Sequence, residues 1–177
     1  MNIEYEIRVI EIDVKRVINK LVELGATKVG EFHQKRYVYD LKPIQNGKWI
    51  RLRTNGENTT LTYKDIAKNT IDGTKEVEIE VDDFNTTNEF LNRIGFEARS
   101  YQENTRIQYK IGNVEIDIDS WPMIPTYLEI EGDDEDSVNN MVHMLEIDKE
   151  KITTLNCDDI YKNIYGIDIS KIKVLKF

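Results

Sequence analysis

Within residues 2–10, NIEYEIRVI, apolar and charged side chains alternate from Ile3 to Val9. Ile3, Tyr5, Ile7 and Val9 fall on one side, and Glu4, Glu6 and Arg8 on the other. Successive strand side chains point to opposite faces, so this period of two predicts a β-strand with one apolar and one charged face. The pattern recurs at 48–54 (KWIRLRT), 59–65 (TTLTYKD), 75–82 (KEVEIEVD), 104–111 (NTRIQYKI), 113–119 (NVEIDID) and 126–131 (TYLEIE), with a weaker eighth strand at 35–41 (KRYVYDL). Turn chemistry separates the strands at Asn46-Gly47, Asn55-Gly56, Asp72-Gly73 and Gly112-Asn113, the last predicting a tight hairpin.

Helical periods lie between the strand groups. Asp13 caps a predicted helix carrying Val14, Val17, Ile18, Leu21 and Val22, stopped at Gly25. Thr86 or Thr87 opens a second, with Phe90, Leu91 and Ile94, stopped at Gly95. A third starts near Asp134 with Val138, Met141, Val142 and Leu145, and a fourth spans about 158–165 before Gly166. The closing KIKVLKF reads as a short ninth strand or a tail. The order strand (EYE), helix (ELGA), strands recurs as strand (EVEIE), helix (RIGF), strands, a short match that suggests two similar halves closing one sheet.

Composition limits the function. The 177 residues carry a net charge of −9, which disfavours a nucleic-acid binder or docking on anionic membrane. Cys157 is the only cysteine, so no internal disulfide forms, and a cytoplasmic setting is expected. No apolar run is long enough to span a bilayer, and the N-terminus has no signal-peptide pattern. His33 and His143 stand alone, and no HExxH, GxSxG, P-loop or GxGxxG occurs. Trp49 and Trp121 suit either a core or tunnel-mouth position or stacking on a base.

The charged face gathers Glu4, Glu6, Glu76, Glu78, Glu80, Glu115, Asp117, Asp119, Glu129 and Glu131, with Arg8, Arg51, Arg53, Lys64, Arg106 and Lys110. The plain reading is an antiparallel sheet with one wet side, its cross-strand ion pairs each worth about 0.2–1 kcal/mol. The sharper reading closes about eight strands into a barrel, with apolar faces outward under the helices and charges inward. Crowded carboxylates then call for divalent metal, and arginine forks for phosphate oxygens.

EYEIR (4–8) resembles the ExExK signature of the CYTH superfamily, the triphosphate tunnel metalloenzymes. WIRLR (49–53) is similar to the family's LRxR strand, LTYK (61–64) to LTxK, KEVEIEV (75–81) to the acidic strand that follows, and DSWPMIPTYLEIEG (119–132) to its D…EIE pair. The last segment and IYKNIYGID are most similar to bacterial class IV adenylyl cyclase-like chains. The resemblance implies an α+β fold in which residues 1–177 form a single tunnel domain, a closed eight-stranded antiparallel β-barrel with helices outside. It implies Mg²⁺ or Mn²⁺ held by Glu4, Glu6, Glu129 and Glu131 with Asp119, and phosphates bound by Arg51, Arg53, Lys64 and Arg106. Arg8, Glu76 and Glu78 fall at catalytic positions. Two departures stand out: Arg8 replaces the signature lysine, and Arg36 lies on the second strand where many members have an acid.

The expected activity is metal-dependent hydrolysis of a small triphosphate (tripolyphosphate, ATP or thiamine triphosphate). The alternatives are cyclisation of ATP to cyclic AMP, and a non-catalytic module that binds polyphosphate or a nucleotide. Neither nucleic acid nor membrane is an expected partner, and a homodimer is compatible with the sequence.

Overall fold

The computed structural model describes residues 2–177. Eight strands form the wall: β1 (Asn2–Val9), β2 (Thr27–Asp40), β3 (Lys48–Thr54), β4 (Thr59–Ile66), β5 (Thr74–Glu80), β6 (Ala98–Ile111), β7 (Val114–Ser120) and β8 (Tyr127–Gly132). Their order is β6-β2-β3-β4-β5-β1-β8-β7, and pairing of β7 with β6 closes the ring. All eight pairings are antiparallel. The barrel expected from alternation is therefore the fold.

Closure turns the period of two into an inside and an outside. Outward side chains of β1, β7 and β8, including Ile7, Ile116, Ile118, Leu128 and Ile130, pack under helix α1 (Val14–Glu23) and helix α3 (Glu135–Met144). Leu21 of α1 and Val138 of α3 are fully buried there. Each such side chain contributes about 1.5–3 kcal/mol of apolar burial. Helix α2 (Phe84–Arg93) covers β2 and β3 through Leu91, against Tyr39 and Leu52.

Aspartates start all three helices. Asp13 accepts from the Arg16 N–H at 3.0 Å, and Asp134 from the Ser137 N–H at 2.7 Å. Helix α2 begins earlier than Thr86, because Asp83 accepts the Thr86 N–H at 2.6 Å and is the cap. The two long strands also start earlier than alternation predicts, β2 at Thr27 and β6 at Ala98. They pair with each other from Thr27↔Lys110 to Tyr39↔Ala98. The N-terminal part of β2 is largely exposed, so no apolar face marks it in sequence. Each half of the barrel runs strand, helix, three strands, in keeping with the short repeat.

The C-terminal part departs from simple periods. Strand β9 (Ile152–Thr153) adds to β1, and β10 (Val174–Leu175) runs parallel to β6, so the closing segment is a strand. The fourth helix is one turn, α4 (Cys157–Asp159), widening to a π-turn at Ile160–Ile164. Tyr161, Ile169 and Leu175 pack with Trp121 and Tyr127 across the barrel end where β7 finishes and β8 begins. At the β4–β5 turn, Gly73 is obligatory: a Cβ there would collide with the Lys68 carbonyl oxygen.

Candidate active site

The barrel encloses a cavity of about 320 Å³. All twelve residues assigned to a site from sequence line it: Glu4, Glu6, Arg8, Arg51, Arg53, Lys64, Glu76, Glu78, Arg106, Asp119, Glu129 and Glu131. Shared parity on each strand puts them there. Of the remaining charged-face residues, Glu115 and Asp117 also line it. Lys110 lies at the mouth with Glu115, and Glu80 is exposed on the rim.

One wall is acidic. Glu6 on β1 faces Glu131 on β8, which faces Glu115 on β7. On the neighbouring rung Arg8 faces Glu129, which faces Asp117. Burial, then Glu4, Glu129 and Glu6, push the Glu131 carboxyl up to about 8. Burial and then Asp119 and Glu129 push Asp117 up to about 7, against the pull of Arg106. Glu129 behaves oppositely: Arg8 and Arg106 outweigh burial and hold it far below the carboxylate range.

Cations already serve part of this wall. Arg8 Nη2 reaches Glu129 at 2.7 Å and Glu6 at 2.8 Å, while its Nη1 donates to the Leu155 carbonyl at 3.1 Å. Lys64 bridges Glu4 at 2.8 Å and Glu76 at 3.1 Å. Arg106 binds Asp119 in a fork at 2.8 and 2.6 Å, with Glu129 at 3.1 Å and Asp117 also in contact. Arg8 thus ties two acids to the C-terminal segment instead of projecting a free guanidinium.

The opposite wall is basic. Arg36 on β2 faces Arg53 on β3, and Arg51 lies two residues from Arg53 on the same face. Glu78 is the carboxylate within reach of Arg51, at 3.3 Å, and of Arg53, at 3.8 Å. Arg51, then burial, depress Arg53 to about 9. Burial, then Arg51, depress Arg36 to about 10. Both remain cations near neutral pH, and both are short of negative charge.

The acidic wall offers hard oxygen donors, the kind Mg²⁺ and Mn²⁺ prefer. Among the described residues, no three carboxylates are already drawn together as a ligand set. Even so, among the described residues Asp117 Oδ1 is buried without a partner, and Glu131, between Glu6 (paired with Arg8) and Glu115 (paired with Lys110), is in no ion pair. By donor chemistry and charge the wall fits a divalent cation. Sequence reasoning gathered Asp117 on the charged face without giving it a role, and it marked Arg36 only as a departure from the family's acid, without assigning it to the site. The parity of Gln34 and Arg36 within β2 was the available signal.

The fold and site together define a closed antiparallel β-tunnel with one acidic and one basic wall. The CYTH domain model matches residues 1–156, and the chain belongs to the CYTH domain family. The structure is similar to a Pyrococcus horikoshii protein, with TM-score 0.75 and 23% identity over 86% of this chain and 96% of that one. It is similar to a Vibrio parahaemolyticus protein provisionally assigned as an adenylate cyclase, with TM-score 0.75 and 14% identity over 93% of this chain and 98% of that one. It is also similar to a Hippeastrum protein, provisionally assigned as an adenylyl cyclase, described by a dominant triphosphatase activity; the TM-score is 0.62 and the identity 15%, over 94% of this chain and 97% of that one. At these identities the likenesses establish the fold. No curated protein matches the chain. Among the described residues, no helix is long and apolar enough to cross a membrane.

Proposed function

We propose that the chain is a metal-dependent triphosphatase, with residues 1–177 working as one tunnel domain. The observation that carries the reading is the pairing of two walls in one cavity, an acidic row whose central Glu131 has no ion-pair partner among the described residues and a basic wall where Arg36, Arg51 and Arg53 have one carboxylate between them, Glu78. A triphosphate with its divalent cation supplies both deficits. Family membership and the triphosphatase activity described for the Hippeastrum protein support it.

In this reading Glu4, Glu6, Glu129 and Glu131, with Asp119, hold Mg²⁺ or Mn²⁺. A bound divalent cation polarises phosphoryl oxygens and neutralises their charge. Arg51 and Arg53 project from one strand face onto the phosphate chain and stabilise charge on its equatorial oxygens. Lys64 and Arg106 flank the acids and can exchange carboxylate for phosphate contacts. Arg8, held by Glu6 and Glu129, fixes these two acids relative to each other. Glu78, kept ionised against burial by Thr62 and then Arg51 and Arg53, orients the arginines in the absence of substrate.

The test is incubation with tripolyphosphate, ATP or thiamine triphosphate and Mg²⁺ or Mn²⁺, followed by separation of phosphate, pyrophosphate and cyclic AMP. Metal-dependent release of phosphate supports hydrolysis. Cyclic AMP with pyrophosphate would replace it with cyclase chemistry. Tight binding without turnover would leave a polyphosphate-binding module.

A further inference from the structure

Arg36 is a buried cation that no carboxylate pairs with among the described residues. It is 8% exposed, and its Nη2 is held by the Gln34 amide oxygen at 2.9 Å and by that of Asn104. The nearest acids are already used. Asp119 is bound by Arg106, and Asp158 by Arg99 at 3.2 Å. The charged neighbours that remain are Arg51, Arg53 and Arg106. Burying a cation is costly unless it is paired, so this placement points to an anion brought from outside.

Trp121 makes the second half of the arrangement. The Arg36 guanidinium carbon lies 4.5 Å above its ring centroid, within range of a cation–π contact. Trp121 is 4% exposed and lines the cavity. Among the described residues its buried Nε1–H meets no acceptor, and the same holds for the Arg36 Nε–H. An indole N–H buried this deeply ordinarily finds a partner. Next to the pair Tyr161 is fully buried and Tyr127 nearly so, and Tyr161 Oη donates to the Pro122 carbonyl at 2.6 Å.

We propose that Arg36 and Trp121 form an end-stop subsite for a terminal phosphoryl group, so that the cavity selects polyphosphate chains with at least one uncapped end. The proposal rests on the triphosphate reading above and adds its polarity: the free end of the chain lies against Trp121, and any organic substituent points away from it. Two N–H donors without partners among the described residues, one on β2 and one just after β7, held together by the cation–π contact, suit the extra oxygen of a terminal phosphoryl group.

The experiment is calorimetric titration, with Mg²⁺ present, of phosphate, tripolyphosphate and di(adenosine) triphosphate, which is capped at both ends. The proteins are wild type, Trp121→Phe and Arg36→Gln. Trp121→Phe keeps the aromatic face and removes only the N–H, so it remains informative if Arg36→Gln fails to fold. Wild type is expected to bind tripolyphosphate at least about tenfold more tightly than the capped compound. Each variant should lose about tenfold toward tripolyphosphate and much less toward phosphate, narrowing the gap to the capped compound. In a Trp49→Phe background Trp121 is the sole indole, and its emission should change on saturation with tripolyphosphate. Tripolyphosphate binding unchanged in both variants would overturn the end-stop and leave the triphosphate reading standing. Wild type binding tripolyphosphate no better than phosphate would overturn both.

Discussion

Glu6 on β1 and Glu131 on β8 are direct partners across the ladder, and both side chains enter the cavity. Like charges directly opposite one another destabilise a sheet. Arg36 and Arg53 repeat the relation with opposite sign on the other wall. The protein therefore carries unfavourable pairs of both signs inside one enclosure, an arrangement that trades stability for a site that a ligand completes.

Replacing Glu131 by Gln keeps the shape and removes a carboxyl that has to take up a proton to fold near neutral pH, because burial and then Glu4, Glu129 and Glu6 push it up to about 8. The metal-free protein should gain about 1–2 kcal/mol, allowing for the partial exposure of this side chain, a rise of roughly 3–8 °C in melting temperature. The same variant should lose Mn²⁺-dependent activity, and Glu6→Gln should lose part of it. Calorimetric melting with and without Mn²⁺ checks both halves. A destabilised variant that still responds fully to metal would remove Glu131 from the ligand set.

Stability should depend on pH in a defined direction. The folded Glu131 keeps its proton up to about 8, and Asp117 up to about 7. The unfolded carboxyls lose theirs near pH 4. Between these limits the folded state binds more protons, so the contribution of these groups to stability falls as pH rises from about 4 to 8. Chemical denaturation of metal-free protein at pH 6 and 8 should show the decline, and Glu131→Gln should reduce it. Mg²⁺ should raise the melting temperature more at pH 8 than at pH 6, because protons compete for the same oxygens.

The basic wall makes a graded prediction. Affinity should rise from phosphate through pyrophosphate to tripolyphosphate, since each added phosphoryl group brings oxygens for another arginine fork. Arg53 is 22% exposed at its side chain, so its contact is only partly desolvated. Arg53→Ala should cost tripolyphosphate about 2 kcal/mol, the low end for a buried charged contact, and cost phosphate far less. Equal affinity for the three anions in titration would dismiss the clamp.

Arg8→Lys restores the residue of the family signature and gives up a fork. One ammonium cannot reproduce both the 2.7 Å contact to Glu129 and the 3.1 Å bond to the Leu155 carbonyl. Triphosphate binding should survive, turnover should hold or rise, and the melting temperature should fall by a few degrees. Arg8→Met leaves Glu6 and Glu129 without this partner and should cost about 3–5 kcal/mol. Parallel thermal melts and tripolyphosphate titrations separate the two variants.

Some of this was legible residue by residue. Glu4, Glu6 and Arg8 share a parity, as do Arg51 with Arg53 and Glu129 with Glu131, and no register keeps Ile7 or Ile130 buried while turning these outward. Asp83 was passed over as a cap because Thr86 and Thr87 carry the same signal one turn later. Strand β2 was read short because its first residues are exposed on both faces. Two-residue strands such as β9 and β10 carry no period at all.

What the sequence determined by itself was local: which side chains share a face, where the chain turns, and that two halves of similar order carry charge on one face and grease on the other. Alternation with a fixed period of two acts over neighbouring residues, so it survives without any knowledge of the fold. Which charges meet was decided by the tertiary structure alone. Glu6 lies 125 positions from Glu131, and Arg36 lies 85 from Trp121. Only closure of the sheet set Glu6 against Glu131, and only the packing of the C-terminal segment behind Trp121 filled one end of the cavity. Electrostatic repulsion, desolvation and unpartnered donors depend on distances of a few ångströms through space, and the order of residues along a chain does not encode these one at a time.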